Sequence, residues 1–274
     1  AGGGAFFFGS RVTWAGGTVS GNDGGSYGGG ACWYDGSSGS LQGVSFVDNT
    51  ATDSSTGGGG ALYTYDSQLT VTNVVMAGNR GSRGGAWYWY GNASISLVNV
   101  TMAGNVAANG GAVFGTGSSA APSLVNVIVY DNTGTSSVGG IWTYDGDLDL
   151  SYSAIAGNSG TELSGVTGSV GTSGNVGAGP DFVTYSAGLD SLKWDLHLAG
   201  ASPLVDAGDP SIYDNDGSLS DIGAWAGPDA DSDWYEDADV DGLPDGWELQ
   251  HGLDPATDDS ASDGDGDGLD NAGE

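Results

Sequence analysis

Apolar residues alternate with small or polar residues through short segments of the first 160 positions. In LTVTNVVM (residues 69–76) and ISLVNVTM (residues 95–102), the period of two is interrupted by one step near the central Asn. Such alternation is typical of β-strands, whose side chains point to opposite faces, and the interruption indicates two short strands meeting at a bend. Helical spacing is absent, and glycine, at 54 residues, disfavours helices. The pattern predicts an all-β chain.

Two sequence marks recur along these strands with nearly the same spacing. The last residue of a Gly-Gly-Ala or Gly-Gly-Ile step recurs every 25 to 30 positions, at Ala5, Ala31, Ala61, Ala86, Ala112 and Ile141. An Asn that follows Gly or Asp recurs every 26 to 30 positions, at Asn22, Asn49, Asn79, Asn105, Asn132 and Asn158. Apolar residues stand three and eight positions before each Asn. A unit this short buries a core only by stacking on copies of itself, so the chain is expected to be a solenoid with one repeat per coil.

The two marks resemble those of right-handed parallel β-helix proteins of bacterial surfaces, in which Gly-Gly-Ala plus an aromatic residue and a later hydrophobic-x-x-Asn recur in every coil. The resemblance covers residues 1 to about 160. It implies parallel pairing of equivalent strands, about 4.8 Å per coil. In that architecture the repeated Asn is expected to turn inward at a corner and to bond to its equivalents in neighbouring coils, because an unpaired buried amide is costly.

The looser stretch from residue 161 resembles the closing segment of many bacterial β-helix proteins. The phrases that carry this likeness are SPLVDAG, residues 202–208, and DIGA, residues 221–224. We therefore expect a β-helix over residues 1–228, with repeating coils to residue 160 and closing coils over 161–228. Asp214, Asp216 and Asp221 either gather around a cation or form a plain acidic loop.

Charge is distributed unevenly along the 274 residues. The chain has 35 acidic and 4 basic residues, a net charge of −31, and 22 of the acids lie between Asp206 and Glu274. So few cations exclude nucleic acid and anionic membrane surfaces as partners. No apolar run approaches the roughly 20 residues of a membrane span, so no membrane insertion is expected. Cys32 is the only cysteine, which excludes an internal disulfide and predicts a small packed side chain.

The acid-rich end contains two stretches, DADVDGLPDGWE and DGDGDGLDNAGE, that fit an EF-hand-type Ca²⁺ loop. Such a loop takes ligands from positions 1, 3, 5, 7, 9 and 12 and has Gly at position 6. The first stretch supplies Asp237, Asp239, Asp241, the Leu243 carbonyl, Asp245 and Glu248, with Gly242 at the turn. The second supplies Asp263, Asp265, Asp267, the Leu269 carbonyl, Asn271 and Glu274, with Gly268 at the turn. Because closely spaced carboxylates repel one another, closing these loops is expected to require a divalent ion.

The doubled Asp phrases, with the connecting GWELQHGLDPATDD, resemble thrombospondin type 3-like repeats at the ends of bacterial surface proteins. The resemblance covers residues 229–274 and implies a small, loop-rich segment folded around calcium instead of a hydrophobic core. It adds further candidate ligands, namely Asp229, Asp231, Asp233, Asp254 and Asp258. A pair of dockerin repeats is the alternative interpretation, but long helices with apolar faces are not visible in the sequence.

Many parallel β-helix proteins are polysaccharide lyases or glycosidases, so the resemblance leaves a catalytic role open beside a structural one. Arg80 and Arg83 are either a substrate clamp of a polysaccharide lyase or two solvated loop charges. Asp145, Asp147 and Asp149 share a strand face and are either hydrolytic carboxyls or an exposed polar face; hydrolysis needs two carboxyls roughly 5 to 9.5 Å apart. The solvated and exposed interpretations are favoured, and no catalytic residue is assigned.

Aromatic residues follow each Gly-Gly step in the segments FFF, CWY, LYTY, WYWY, VFG and WTY. Phe8, Tyr34, Trp89 and Tyr144 stand at matching offsets and are expected to form an exposed ladder of rings. Such a ladder would contact sugars or another protein.

These patterns together predict a secreted or surface-displayed bacterial module with a structural or adhesive role and a calcium-stabilised tail. Abundant Gly, Ser and Thr and scarce Lys favour the extracellular location. Self-association head to tail into a surface fibre is expected because AGGGAFFF presents no polar cap before the first coil, so upstream sequence or another subunit must cover that edge. Other surface proteins or a polysaccharide are the further candidate partners. The alternatives are a polysaccharide lyase or glycoside hydrolase and a non-catalytic glycan-binding module.

Overall fold

The computed structural model describes residues 2–53, 57–117, 121–136, 138–145, 147–187, 190–215, 217–230, 238–243, 245, 248, 253–263 and 268–273. Short 3-10 turns span Ser191–Lys193 and Asn271–Gly273. The strands are β1 Ala5–Phe8, β2 Arg11–Ala15, β3 Thr18–Ser20, β4 Ala31–Tyr34, β5 Ser38–Gln42, β6 Ser45–Val47, β7 Thr50–Ala51, β8 Leu62–Tyr65, β9 Gln68–Ala77, β10 Arg80–Arg83, β11 Trp87–Tyr90, β12 Ser94–Ala103, β13 Val106–Asn109, β14 Val113–Thr116, β15 Ser123–Tyr130, β16 Thr133–Gly134, β17 Val138–Thr143, β18 Asp149–Ser151, β19 Ala154–Ala156, β20 Thr161–Ser164, β21 Phe182–Thr184 and β22 Asp195–Leu198.

Equivalent strands of successive coils pair in parallel and form the sheets of a right-handed β-helix with about six coils. The first sheet has the order β1-β4-β8-β11-β14-β17-β20. The second has the order β18-β15-β12-β9-β5-β2, with β3, β6 and β19 extending it, and the third has the order β16-β13-β10-β7. The all-β, parallel β-helix prediction is therefore confirmed.

The strand register places the repeated apolar residues in the core. Leu97 lies opposite Val71 in one neighbouring coil and Leu124 in the other, and all three are fully buried. The apolar residues three positions before the Asn also stack in the core, since Met102 lies opposite Met76 and both are fully buried. These side chains can stack because the apolar residues keep the same spacing before the Asn in every coil.

The interruption of the alternation corresponds to a bend in the middle of the longest strands. Asn73, Asn99 and Asn126 have φ angles of 53°, 54° and 55°. Asn tolerates this left-handed conformation better than most residues. One such residue per coil turns the strand without breaking the parallel pairing on either side.

Residues beyond 160 pack against the coils in two ways. Residues 161–176 pair with the last complete coil, through β20 and bridges from Thr167 and Val176. By contrast, β21 and β22 form an antiparallel hairpin, and residues 224–226 lie along the flank, where Asn73 donates from Nδ2 to the Ala224 and Ala226 carbonyls at 2.8 and 2.7 Å. Closing coils were predicted over all of 161–228, whereas the described residues between 182 and 228 cover the side of the solenoid and add no strand to the stack.

The helical content offers no membrane span. Among the residues that the structure describes, none lies in a helix long and apolar enough to cross a bilayer.

Candidate metal centre

The repeated Asn forms a continuous ladder inside the solenoid. From Asn22 to Asn158, the backbone N–H and the Nδ2 of each Asn donate to the Oδ1 of the next Asn at 2.8 to 3.1 Å. Nδ2 of Asn105 also donates to the Met76 carbonyl at 2.8 Å, and Asn132 makes the same bond to Met102. These bonds link each Asn to the apolar residue of the hydrophobic-x-x-Asn motif in the preceding coil. The ladder is a structural device, as the sequence predicted.

The candidate calcium loops share one backbone feature. Gly242 and Gly268, each at the sixth loop position, have φ angles of 95° and 102°. A Cβ added at either glycine would meet no atom within 4 Å. Backbone conformation, and not lack of space, therefore demands glycine at both turns.

Three carboxylates of the first loop converge. Asp239, Asp241 and Glu248 each offer an oxygen, and these oxygens lie within 4.8 Å of one another. Asp241 is positioned by its own loop, because its Oδ1 accepts the Leu243 N–H at 2.8 Å. The loop thus turns positions 3, 5 and 12 toward one point, as an ion-binding loop of this type requires.

Glu248 is the most unusual member of the cluster. It is fully buried, and neither of its carboxylate oxygens has a hydrogen-bond partner in the described part of the chain. Burial raises its pKa to about 7, with further contributions from Asp239, Asp241, Asp259 and Asp245. A buried carboxylate without donors is costly unless a cation or a proton compensates it.

Asp259 joins this centre although the loop pattern does not include it. Its backbone N–H donates to Oδ2 of Asp241 at 3.0 Å, and its charge contributes to the raised pKa of Glu248. Asn271 of the second loop donates from Nδ2 to the Asp259 carbonyl at 2.8 Å. Asp259 therefore connects the two loops. No spacing rule could have found it, since it lies outside both twelve-residue patterns.

The remaining predicted ligands are not all gathered at this point. Oδ1 of Asp245 accepts the Ala238 N–H at 2.8 Å, and Oδ2 of Asp263 accepts the Gly268 N–H at 3.1 Å. Leu243 is buried, whereas Leu269 is 53 % exposed. Asp229, Asp254 and Asp258 are exposed. The other predicted ligands lie outside the described residues: Asp231, Asp233, Asp237, Asp265, Asp267 and Glu274.

The donor set around Glu248 fits a hard divalent cation. Carboxylate oxygens are what Ca²⁺ prefers, and it accepts about six to eight oxygen ligands in flexible geometry. A positive ion would compensate both the orphaned Glu248 oxygens and the repulsion among neighbouring carboxylates. The residues that would hold it are Asp239, Asp241 and Glu248.

The acidic loop before the tail has internal partners. Asp214 accepts backbone N–H groups of Asp221, at 3.1 Å, and of Gly227. Asp221 accepts the Asp206 N–H at 2.8 Å. Both carboxylates hold the covering segment together through the backbone. Asp216 lies outside the described residues.

The candidate catalytic groups of the solenoid are spread apart. Arg80 lines one surface cavity, while Arg83 lines another among tyrosines and donates to the Tyr88 hydroxyl at 3.3 Å. The two arginines of β10 thus face different surfaces and do not form a clamp. Asp147 and Asp149 are both exposed, with buried Leu148 between them, as strand alternation predicts.

The aromatic ladder differs from its prediction at one position. Trp89 is fully buried in the core, and Tyr90 is the residue in register with Tyr65. The prediction of Trp89 was wrong because strand alternation turns it inward. The outward rings of Phe8, Tyr34, Tyr65 and Tyr90 stack at 6.1, 4.7 and 5.5 Å between successive centroids, with interplanar angles of 14° to 33°. Since the rings stack on one another, their edges and not their faces line this surface.

Cys32 lies fully buried beneath this ladder, and burial raises its thiol pKa to about 12. It is a packed side chain, as predicted.

Comparison of the chain with protein-family models, curated proteins and solved structures gave no match. The proposals that follow therefore rest on the geometry of the chain itself.

Proposed function

We propose that this protein is an extracellular structural or adhesive β-helix module whose C-terminal segment is ordered by Ca²⁺. The observation that carries the proposal is Glu248, a fully buried carboxylate without hydrogen-bond donors in the described residues, which shares a point with Asp239 and Asp241. Without an ion this arrangement is costly, and with one it becomes a ligand set.

The surrounding contacts support an organising role for the ion. Oδ2 of Asp241 accepts the backbone N–H groups of Asp259 and Ser260 at 3.0 and 2.9 Å. Ser260 in turn accepts the Ala272 N–H at its carbonyl, at 3.0 Å. An ion held by the first loop would thereby stabilise the end of the second loop. Extracellular modules of this kind bind Ca²⁺ with dissociation constants of about 10⁻⁴ to 10⁻³ M, which suits a secreted protein.

Calorimetric titration of chelator-treated full-length protein with Ca²⁺ tests the metal assignment, and limited proteolysis with and without EGTA tests the organising role. We expect saturable binding, and we expect Ca²⁺ to slow cleavage after residue 228 while cleavage within residues 1–176 stays unchanged. Equal cleavage of the tail in both conditions, with no heat of binding, would contradict the proposal.

Self-association is the second part of the proposal. The first coil supports it, because Phe6 and Phe8 are 43 % and 59 % exposed, and Phe7, Val12 and Trp14 are only partly buried although they pack against the core. Contact with a second copy, or with chain that precedes residue 1, would cover these side chains. Analytical ultracentrifugation with Ca²⁺ tests this, and a single monomeric species over the whole accessible concentration range would contradict it.

A further inference from the structure

The residue before each ladder Asn adopts a left-handed backbone conformation, with φ between 51° and 69° in all six coils. Glycine takes this conformation freely, and Asp is among the few other residues that tolerate it. Four coils use glycine, and two use Asp48 and Asp131. Two carboxylates therefore project from this corner, whereas the glycines of the other four coils have no side chain there.

These two carboxylates bound a cleft of about 400 Å³ between the corner and the segment that precedes β22. Strand register places Asp48, Gly78, Gly104 and Asp131 in successive coils, so the Cα atoms of Asp48 and Asp131 stand about 14 Å apart at about 4.8 Å per coil. The covering segment needs both glycines: a Cβ on Gly78 would lie 2.1 Å from Oγ of Ser191, and one on Gly104 would lie 2.6 Å from the Trp194 ring.

The lining of the cleft combines hydrogen-bond acceptors, donors and aromatic rings. Besides Asp48 and Asp131, it includes Asp190 and Arg80. In the described part of the chain no arginine lies within 4.0 Å of a carboxylate, so Arg80 faces the cleft without an ion pair. The Trp194 and Tyr185 rings stand 4.7 Å apart, and the Tyr185 hydroxyl donates to Oδ2 of Asp131 at 2.6 Å. Burial and Asp131 raise the Tyr185 pKa, so the hydroxyl remains a donor.

We propose that this cleft binds a neutral oligosaccharide, with Asp48, Asp131 and Arg80 contacting its hydroxyls and Trp194 contacting its apolar ring face. Sugar hydroxyls both donate and accept, so one ligand satisfies carboxylates and a guanidinium together.

The charges of the cleft select among other ligands. Three carboxylates against one arginine, in a chain of net charge −31, disfavour an acidic sugar. Arg80 lies in the coils between those of Asp48 and Asp131 and supplies a donor for sugar hydroxyls.

Full-length protein in Ca²⁺ is applied to an array of neutral and acidic glycans, and the best neutral trisaccharide is then titrated by calorimetry. We expect retention of neutral glycans only. Asp48→Asn and Asp131→Asn should each weaken binding about tenfold, because each removes a charged acceptor. Asn tolerates the same backbone conformation, so both variants keep the corner. Binding should persist in EGTA, which separates this proposal from the calcium proposal.

Asp35→Asn is the matched control, because Asp35 is exposed with a φ of 48° and does not line the cleft. It should bind within about twofold of the unchanged protein. Trp194→Ala should abolish binding, with the melting temperature measured alongside. The proposal is overturned if no neutral glycan is retained, or if Asp48→Asn and Asp131→Asn bind as well as the control.

Discussion

The Asn ladder and the acidic tail both bring polar side chains close together, but they satisfy these side chains differently. An amide carries donors and acceptors, so Asn79 accepts from Asn49 and donates to Asn105, and the stack satisfies itself. An ionised carboxylate only accepts, so Asp239, Asp241 and Glu248 cannot satisfy one another. A buried row of neutral amides is self-sufficient, whereas a buried carboxylate beside other carboxylates, such as Glu248, needs a proton or a cation.

Removing one rung of the ladder should have the largest effect. Asn105→Ala removes the acceptor of two Asn79 donors, leaves the Met76 carbonyl without its Asn105 donor, and leaves Oδ1 of Asn132 with only the backbone N–H of residue 105. We expect the free energy of unfolding to fall by about 3 to 5 kcal/mol, measured by urea denaturation, with Ca²⁺ affinity unchanged. Asn92→Ala, at an exposed residue, should change stability by less than about 0.5 kcal/mol. Equal effects of the two variants would contradict the structural role of the ladder.

Removing the buried carboxylate should affect only the tail. Glu248→Gln keeps the shape of the side chain but removes its charge, so Ca²⁺ affinity should fall about 100-fold, while the urea midpoint of the solenoid stays unchanged. Calorimetry and denaturation measure the two quantities on the same protein. Asp254→Asn, at an exposed tail carboxylate outside the cluster, is the control and should change affinity less than about threefold. An unaltered affinity in Glu248→Gln would remove Glu248 from the ligand set.

A smaller effect should follow from Asp259→Asn. Asp259 contacts Asp241 and Asn271 through its backbone, and its carboxylate adds to the field at Glu248. We expect Ca²⁺ affinity to fall about threefold to tenfold. Asp258→Asn, at the exposed neighbouring residue, should have little effect. If Asp258→Asn lowers Ca²⁺ affinity more than Asp259→Asn does, the ligands are those that the thrombospondin type 3-like resemblance implies and not those of the observed cluster.

Ion-free protein should show a modest dependence on pH. The pKa of Glu248 is raised from 4.5 to about 7 in the folded chain, so the folded tail binds more protons than the unfolded tail between these values. Tail stability is then greatest below about pH 4.5 and decreases as pH rises through about 7. Proteolysis of the tail with a pH-tolerant protease, in EGTA between pH 5 and 8, measures this. Slower cleavage at pH 8 than at pH 5 would contradict the predicted loss of tail stability with rising pH.

Removal of Ca²⁺ by a chelator should not change the reactivity of the Cys32 thiol in the solenoid. Because Cys32 is fully buried and its pKa is raised to about 12, its alkylation requires opening of the coils. We expect equally slow reaction with iodoacetamide in Ca²⁺ and in EGTA, and faster reaction in Asn105→Ala. Rapid alkylation in EGTA alone would mean that the two regions are coupled.

The sequence by itself determined the coil. Its strand periodicity and two recurrent marks predicted the all-β parallel stack, the core rows such as Leu97 and Met102, and the inward Asn ladder. These features were predictable because each depends on local alternation and on contacts between equivalent positions, which the recurring spacing of the apolar residues from the Asn specifies.

Only the tertiary structure decided which groups meet across different repeats and segments. It turned Trp89 inward and Tyr90 outward, brought Asp259 beside the first calcium loop, separated Arg80 from Arg83, and closed a cleft with Trp194. None of these contacts has a fixed sequence spacing. They depend on how a covering segment packs against the finished coils, and that packing is governed by shape and burial and not by periodicity.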